Sequence, residues 1–458
     1  MNIYEMLMDK WQFKNKTIKL FEAFSGYGSQ QMALKNLGCK IEVIGMSDWW
    51  ITANIAYNIV HAEKKEVDYI EDKEHLIEEL LRYGLSGDDK VPMSYNKYER
   101  KTLKELNYIR KIIIQNKNYG AIGTFSRLPK DIDICTWSFP CQDISLAGKQ
   151  KGMVDGSKSN YGYIFLENVE ETPYEERPKM LLMENVRALF SETFRVDWRE
   201  IQFRLEKMGY TNYAEILNAK DYGMPQNRDR VFIVSILGEH YYEFPQKTIL
   251  NKTMKQYLEE NVDEKYYLKK TILNAFLSKG TGKYPRRERF LQNITKQTDI
   301  ANAITTRSEE RPVDNFILVP EKSLKGYAEA RDGDGIYIDR PHQKRGVVQK
   351  GMIQTIKTQM HDLGVVEKSD KQWEGNVKPF EVVEIDEKAY IVMSDGFQLS
   401  RIRKLTPREV FRLMGVGERE IDLILSVVTD NQAYKLGGNS IVVGVLEKIF
   451  KTVVPNHC

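Results

Sequence analysis

The amino-acid sequence predicts an α/β protein in which a mainly parallel sheet is covered by helices on both faces, with a second, smaller and less regular domain. Short apolar runs alternate with helical stretches, which is typical of a parallel sheet with crossover helices. The runs lie at residues 17–24, 41–46, 132–136, 180–183 and 231–237. This rhythm stops after residue 240, where short β-like runs are separated by Gly, Pro and charged residues up to residue 400.

The length and composition of the chain exclude several classes of protein. At about 150 residues per domain, the 458 residues correspond to roughly three structural units. With 41% hydrophobic and 29% charged residues, 30 Gly and 14 Pro, the chain is globular, and collagen, coiled coils and disordered tails are excluded. The 68 Lys and Arg exceed the 65 Asp and Glu by only 3, so a nucleic-acid role needs a local basic surface.

The cysteines and histidines show no metal or disulfide pattern. Cys39, Cys135, Cys141 and Cys458 form no C-x-x-C pair, and the 6 His are scattered, so we expect neither a zinc site nor a disulfide framework. The N-terminus lacks the features of a signal peptide, and no window of about 18 apolar residues occurs. We therefore expect a soluble, cytoplasmic protein without a membrane or metal partner.

Helices are predicted from their caps and stops. A glycine turn at 25–29 follows the first strand and precedes a helix that ends at Gly38. The Lys- and Glu-rich stretch 61–120 indicates an insertion with two helices, one capped by Asp72 and running to Gly84, the other spanning about 98–114.

The C-terminal part is predicted to be helical again. Pro407 suits the first turn of a helix ending near Gly415, and a further helix follows Gly438. We therefore divide the chain into residues 17–240, 241–400 and 401–458.

The glycine turn at Gly26 and Gly28 is the first chemical signal. Such a turn lets the backbone approach a ligand, which suits a nucleotide-like cofactor, although a merely tight turn is an equal alternative. Asp48 ends the next strand about 20 residues later, a spacing suited to binding ribose hydroxyls.

Three further motifs lie next to predicted strands. Cys141 comes directly after the strand 132–136, where open α/β sheets place ligands, and could therefore be a nucleophile. The alternative is a structural role, because most cysteines, like Cys135 within the strand, are buried and inert. Glu184 follows a strand expected to be an interior one, at the same sheet edge, and could act as an acid. Arg228 and Arg230 alternate, so an extended segment points them in opposite directions, one to the site and one to a carboxylate or phosphate.

In this order the motifs resemble those of the DNA (cytosine-5) methyltransferases. The matching pieces are Phe24 to Gly28, Phe139 to Gln142, Glu184 to Val186, Gln226 to Arg230, Arg403 to Glu409, and Gln432 to Ser440. The resemblance covers residues 17–240 and about 400–455. It implies a Rossmann-like methyltransferase domain that uses S-adenosylmethionine, with residues 241–400 as a target-recognition domain for double-stranded DNA.

The resemblance also implies roles for the catalytic residues. The Cys141 thiolate adds to C6 of a cytosine flipped out of the duplex, and this activates C5 for methylation. Glu184 binds the N3 edge and the exocyclic amine, and Arg230 binds the O2 edge, with Arg228 in a supporting role.

A cofactor site is implied in the same way. Its residues are Phe24, Gly26, Gly28, Asp48, Trp49, Thr124, Phe125, Pro140, Asn439 and Ser440. Asp48 binds the ribose and Trp49 packs on the adenine, whereas core burial is expected for Trp50. Thr124 stands where the family often has an acid that contacts the adenine amino group.

Some alternatives stay open at this point. The substrate could be RNA, although the long variable region favours DNA, or the protein could be a silent binding module, which Cys141, Glu184 and Arg230 argue against. A restriction-modification, solitary or phage context is equally compatible, and one flipped base suggests a monomer. Each basic residue in the variable region could contact a DNA phosphate or could equally be a solvated surface charge. The candidates for phosphate contact are Arg286, Arg287, Arg289, Lys344 and Arg345.

Overall fold

A computed structural model describes residues 10–14, 17–140, 160–278, 317–323, 326–338, 340, 343, 346–358, 360–375 and 378–454. The chain divides into two compact units. The first comprises Met1–Tyr222, Asp229–Ile249 and Met414–Cys458, and the second comprises Gly223–Arg228 and Leu250–Leu413. Residues 401–413 thus group with the second unit, whereas the sequence analysis assigned them to the return segment.

The strands are β1 (Thr17–Ala23), β2 (Lys40–Ser47), β3 (Ile134–Trp137), β4 (Met180–Val186), β5 (Tyr210–Asn218), β6 (Gln226–Asn227), β7 (Asp229–Leu237), β8 (Ile317–Pro320), β9 (Tyr327–Ala330), β10 (Gly335–Tyr337), β11 (Val348–Gln349), β12 (Ile353–Gln354), β13 (Leu363–Gln372), β14 (Val382–Ile385), β15 (Lys388–Val392) and β16 (Gln398–Arg403).

The α-helices are α1 (Ser29–Asn36), α2 (Ile51–His61), α3 (Lys73–Leu81), α4 (Tyr95–Glu99), α5 (Leu103–Gln115), α6 (Tyr161–Glu170), α7 (Arg195–Lys207), α8 (Lys270–Ser278), α9 (Pro407–Leu413), α10 (Glu418–Leu425), α11 (Asp430–Asn439) and α12 (Val443–Val453). Short 3-10 helices lie at Tyr174–Glu176, Arg187–Phe190, Glu192–Phe194, Ala219–Tyr222, Met254–Tyr257 and Glu264–Tyr266.

The first unit contains a six-stranded sheet in the order β2-β1-β3-β4-β7-β5. The pairs from β2 to β4 are parallel, and β7 runs antiparallel to both β4 and β5. This confirms the predicted α/β class and the interior position of β4. Strand β5 was not predicted, because as the last strand of the sheet it is only partly buried and has no continuous apolar run.

The interior strands β3 and β4 are short apolar runs, as expected of strands that are buried on both faces. Every residue of β3 is buried, and the ring of Trp137 stacks on Phe165 of α6 with 4.6 Å between ring centroids. Cys135 lies in the same core cluster, and burial raises the pKa of its thiol, which disfavours the reactive thiolate.

The insertion folds into helices with their own apolar core, formed by residues of α3, α4 and α5. As predicted, the Asp72 carboxylate caps α3 by accepting hydrogen bonds from the backbone N–H groups of Glu74 and His75. The second predicted helix is wrong in its extent, because the segment forms two helices. Thr102 and Glu105 make a reciprocal capping box that starts α5 and separates it from α4.

The second unit is more regular than predicted. Six of its strands form a sheet in the order β11-β10-β13-β16-β15-β14, with all pairs antiparallel. Arg403 at the end of β16 donates to both oxygens of Glu409 in α9, each at 2.7 Å, and both side chains are fully buried. This part of the methyltransferase-like motif therefore stabilises the second unit.

The last residues return to the first unit. Helix α12 presents an amphipathic face, with buried residues spaced three or four apart, and packs on α1. The pairing is extended by a 2.6 Å hydrogen bond from the Asn36 amide to Glu447.

Candidate active site

The turn between β1 and α1 combines three left-handed residues. Phe24, Gly26 and Gly28 have φ values of 56°, 57° and 80°. A Cβ at Gly26 would meet no atom within 4 Å, whereas one at Gly28 would lie 2.5 Å from Nε2 of His61. Gly26 therefore leaves open space beside the turn, and Gly28 is required for close packing beneath it.

Asp48, at the end of β2, is bonded directly to this turn. Its Oδ2 accepts a 2.9 Å hydrogen bond from the Gly26 N–H, and its Oδ1 accepts one of 2.8 Å from the Trp50 N–H. Burial raises the pKa of Asp48 to about 7, against the opposing effect of these two donors. The structure thus brings together the turn and the acid that the sequence placed about 20 residues apart.

Trp49 follows with its indole fixed in place. Its Nε1–H donates to Oδ1 of Asp89 at 2.6 Å, and its ring lies 6.1 Å from that of Tyr161. Trp50 is buried, which confirms the expected core position.

The remaining predicted cofactor residues lie in three places. Thr124 is exposed, and its hydroxyl donates to the carbonyls of Ala121 and Tyr119 at 2.7 and 3.0 Å. Phe125 and Pro140 are half-buried, with the Phe125 ring 5.5 Å from that of Tyr119. Asn439 and Ser440 lie at the C-terminal end of helix α11, where Asn439 is the exposed last residue and Ser440 is the C-cap.

Glu184 and Arg230 form an ion pair between neighbouring strands. Glu184 lies inside β4, which extends to Val186, and not past the strand as predicted. The Arg230 Nε lies 2.9 Å from Glu184 Oε1, with side-chain exposures of 15% and 8%. Asn185, which is also buried, donates from its amide to the carbonyl of Phe139 at 3.2 Å. The pair therefore lies beside the segment that leads to Cys141.

Arg228 and Arg230 point to different surroundings, as their alternation predicts. Arg228 is buried in the second unit and donates to the carbonyl of Ile356 at 2.8 Å. Gln226, two residues earlier, bonds the backbone at Leu413 and Ile356. Arg228 thus contacts backbone of its own unit, and Arg230 contacts a carboxylate.

Six of the predicted residues lie outside the described ranges. They are Cys141, Arg286, Arg287, Arg289, Lys344 and Arg345.

Comparison with known proteins decides the family. The profile of the C-5 cytosine-specific DNA methylases matches residues 81–454. The chain belongs to this family.

Individual relatives agree with this membership. The type II methyltransferase M2.ScrFI of Lactococcus lactis subsp. cremoris is 31% identical over 455 residues, covering 95% of this chain and 98% of that protein. The orphan methyltransferase M.SssI of Spiroplasma monobiae is 36% identical over 283 residues, covering 59% of this chain and 71% of its own length. The solved structure of the Entamoeba histolytica methyltransferase EhMeth shares the fold, with 14% identity, a TM-score of 0.50, and coverage of 96% and 98% of the two chains.

The protein is therefore a DNA (cytosine-5) methyltransferase whose methyl donor is S-adenosylmethionine. The alternatives of an RNA enzyme or a silent binding module are not favoured. Within the described ranges, no cluster of three or more His, Cys, Asp or Glu side chains could bind a metal. Of the helices described, none has the length and apolar character needed to cross a membrane.

The residues of the methyltransferase around the glycine turn fit this cofactor. Gly26 has open space at its Cα, an acid is bonded to the turn, and an aromatic ring follows the acid directly. A carboxylate suits ribose hydroxyls, and an indole suits a planar base.

Sequence reasoning missed a buried polar network beneath the turn of the methyltransferase. Glu22 of β1 is fully buried, accepting from the Tyr57 hydroxyl at 2.7 Å and from the Gln31 N–H at 3.2 Å. His61 lies nearby, with Nε2 3.0 Å from the Tyr27 carbonyl, and burial lowers the pKa of its imidazole to about 3. An acid within the apolar run from Leu20 to Phe24 was the available signal for Glu22.

Proposed function

We propose that the enzyme methylates C5 of a cytosine flipped out of double-stranded DNA, through a covalent bond from Cys141. The thiolate sulfur forms a bond to C6, and the electrons of the C5–C6 double bond move onto C5 and the N3 side of the ring. S-adenosylmethionine, when bound, supplies the methyl group that C5 takes up. Loss of the C5 proton then restores the double bond and expels the Cys141 thiolate.

The observation that carries this proposal is the buried Glu184–Arg230 pair beside the segment leading to Cys141. Strand β3 ends at Trp137, which pairs with Met183, so residues 138–140 leave the sheet next to Glu184. Glu184 binds the N3 edge and exocyclic amine, where charge changes as sulfur adds to C6, and Arg230 binds the O2 edge. Arg228 acts in support, by fixing the backbone that precedes Arg230.

The cofactor is bound at the turn of the first unit. Asp48 binds the ribose hydroxyls, Trp49 packs on the adenine, and Phe24, Gly26 and Gly28 form the wall that approaches the ligand. Thr124, Phe125, Pro140, Asn439 and Ser440 complete the pocket. The Thr124 hydroxyl donates its proton to the Ala121 carbonyl within the same turn. Its oxygen therefore serves as a hydrogen-bond acceptor for the adenine amino group.

Residues 241–400 recognise the target sequence, and residues 17–240 form the catalytic domain together with the return segment that follows Leu413. Flipping one cytosine requires one active site, so the enzyme acts as a monomer, in the cytoplasm. Its relatives include type II and orphan methyltransferases, and the enzyme acts in a restriction-modification, solitary or phage setting.

Bisulfite sequencing tests the reaction and the nucleophile together. Plasmid is recovered from cells that express the wild type, Cys141→Ser, or the control Cys135→Ala, which changes a buried core thiol. We expect conversion-resistant cytosines in one short recurring sequence for the wild type and the control, and full conversion for Cys141→Ser. Full conversion in all three would contradict the DNA activity, and RNA duplexes in a methyl-transfer assay then test the other substrate.

A substrate analogue tests the covalent bond itself. In DNA with 5-fluorocytosine at the target position, C5 carries no proton that could be removed, so the sulfur–C6 bond has no route to release after methylation. We expect a denaturant-resistant complex of DNA with the wild type and with Cys135→Ala, and none with Cys141→Ser. A complex that persists in Cys141→Ser would assign the nucleophile elsewhere.

A further inference from the structure

The insertion contacts the backbone on either side of Trp50 directly. Ser86, in the segment that follows α3, donates from its N–H to the Trp49 carbonyl at 2.6 Å and accepts from the Ile51 N–H at 2.9 Å. Ser86 is fully buried, and its hydroxyl lies 3.1 Å from an Asp88 carboxylate oxygen. The insertion is therefore hydrogen-bonded to the backbone that directly follows Asp48.

Asp89 of the same segment contacts two parts of the first unit at once. One carboxylate oxygen accepts from the Trp49 indole at 2.6 Å, and the other lies 2.9 Å from Nζ of Lys435 in α11. The Lys435 ammonium also donates to the Asp88 carbonyl at 3.2 Å and lies 4.5 Å from the centre of the Trp50 ring. Asp89 has a φ of 61°, a left-handed conformation that turns its side chain toward these partners.

These contacts restrict the freedom of an aromatic side chain. A carboxylate that accepts from an indole N–H fixes the orientation of the ring, and a charge-assisted hydrogen bond is stronger than a neutral one. The ion pair with Lys435 connects the same carboxylate to the helix that ends at Asn439. Asp89 thus links the residue that follows Asp48 to the C-terminal helix.

We propose that residues 86–89 of the insertion complete the adenosine side of the cofactor pocket, with Asp89 as a positioning residue that orients Trp49. The inference rests on the proposed cofactor site. It gives the insertion a function, which is to preorganise the ring that receives the base, so that less ordering is required when the cofactor binds.

Calorimetric titration with S-adenosylhomocysteine tests this role. We expect Asp89→Ala to raise the dissociation constant about tenfold, because the indole loses its charged acceptor. The matched control is Glu79→Ala, which removes the 2.9 Å ion pair with Arg110 elsewhere in the insertion and should bind like the wild type. In steady-state methylation, Asp89→Ala should raise KM for S-adenosylmethionine by the same factor and leave kcat unchanged.

Two further variants separate positioning from folding. Asp89→Asn keeps an acceptor for the indole and should restore affinity to within about threefold of the wild type. In a Trp49→Phe background, which has no indole N–H, Asp89→Ala should have little additional effect, as a double-mutant cycle measures. A purely structural role would lower the melting temperature in both backgrounds equally and leave the affinity of the folded protein unchanged.

The outcomes distinguish the inference from the function on which it rests. If Trp49→Ala weakens binding and Asp89→Ala does not, the inference is overturned and the proposed cofactor site stands. If Asp48→Ala and Trp49→Ala both bind S-adenosylhomocysteine as tightly as the wild type, the proposed cofactor site itself is wrong.

Discussion

The Nε of Arg230 lies 2.9 Å from Oε1 of Glu184, across the antiparallel pair formed by β7 and β4. Both side chains are largely buried, at 15% and 8% exposure. Removing one partner of a buried ion pair leaves an uncompensated buried charge, so each of these residues depends on the other for stability.

Replacing Arg230 should therefore affect stability and activity together. Arg230→Met withdraws the guanidinium from a buried carboxylate, and we expect a loss of about 3 kcal/mol in the free energy of unfolding. Methylation should fall about a hundredfold or more, because a group proposed to bind the cytosine edge is lost. Urea denaturation and single-turnover methylation measure the two effects.

The double variant Glu184→Gln/Arg230→Met separates the two effects. Removing the carboxylate charge should recover most of the lost stability, and activity should stay low because both groups proposed to bind the cytosine are absent. Additive losses of stability in the double variant would show that the pair is not coupled.

Asp48 should make cofactor affinity depend on pH. Burial raises the pKa of its carboxyl group to about 7, with Asp89 and Lys435 as its charged neighbours. Only the ionised carboxylate accepts hydrogen bonds at both oxygens, so binding should strengthen as pH rises through 7. We expect the dissociation constant for methylthioadenosine, which lacks the titrating amino group of the cofactor, to be about tenfold higher at pH 6 than at pH 8. The dependence should vanish in Asp48→Asn, and an unchanged slope there would assign it to another group.

Asn185 should position the segment that leads to Cys141, the proposed nucleophile. Its amide donates to the Phe139 carbonyl at 3.2 Å, two residues before Cys141, and its side-chain oxygen accepts from the Val186 N–H at 2.8 Å. We expect Asn185→Ala to lower kcat about 10- to 100-fold, because a displaced catalytic group loses its productive geometry. The dissociation constant for S-adenosylhomocysteine should not change, and isothermal titration checks this. A loss of cofactor binding equal to the loss of rate would instead indicate a disturbed fold.

The sequence alone was sufficient for the elements whose signals are local. The strand, glycine turn and helix from β1 to α1 are confirmed, as are the Asp72 cap and the start of α9 at Pro407. Each depends on residues within a few positions of one another. By contrast β5, at the end of the sheet, has no continuous apolar run, and the Thr102 cap that divides the insertion helices was overlooked.

Contacts between distant residues explain what the sequence did not reveal. Asp89 is an ordinary acid in a polar loop until the fold brings it to Trp49, 40 positions away. The pairing of Arg403 with Glu409 is likewise invisible as a pattern, because only burial distinguishes it from a surface ion pair. Roles that depend on such contacts follow from three-dimensional structure, whereas the order of short motifs was enough to indicate the family.

Glu22 should give the first unit an unusual dependence of stability on pH. Burial raises the pKa of this carboxyl group from 4.5 to about 7, against the hydrogen bonds from Tyr57 and Gln31. Between these values the folded protein binds the proton and the unfolded chain releases it, so the contribution of Glu22 is fully present below pH 4.5 and is lost as pH rises through 7. His61 acts in the opposite direction, because its lowered pKa makes the unfolded chain bind the extra proton.

Comparison with Glu22→Gln isolates the contribution of Glu22 from that of His61. The amide does not titrate, so the stability of Glu22→Gln relative to the wild type should rise by roughly 2–3 kcal/mol between pH 5 and pH 8. Urea denaturation across this range measures the difference, with Glu42→Gln in the exposed end of β2 as the control that should show none. A constant difference between Glu22→Gln and the wild type would mean that Glu22 titrates alike in the folded and unfolded chains, and the buried network beneath the glycine turn would then contain a carboxylate that is mostly charged across this pH range.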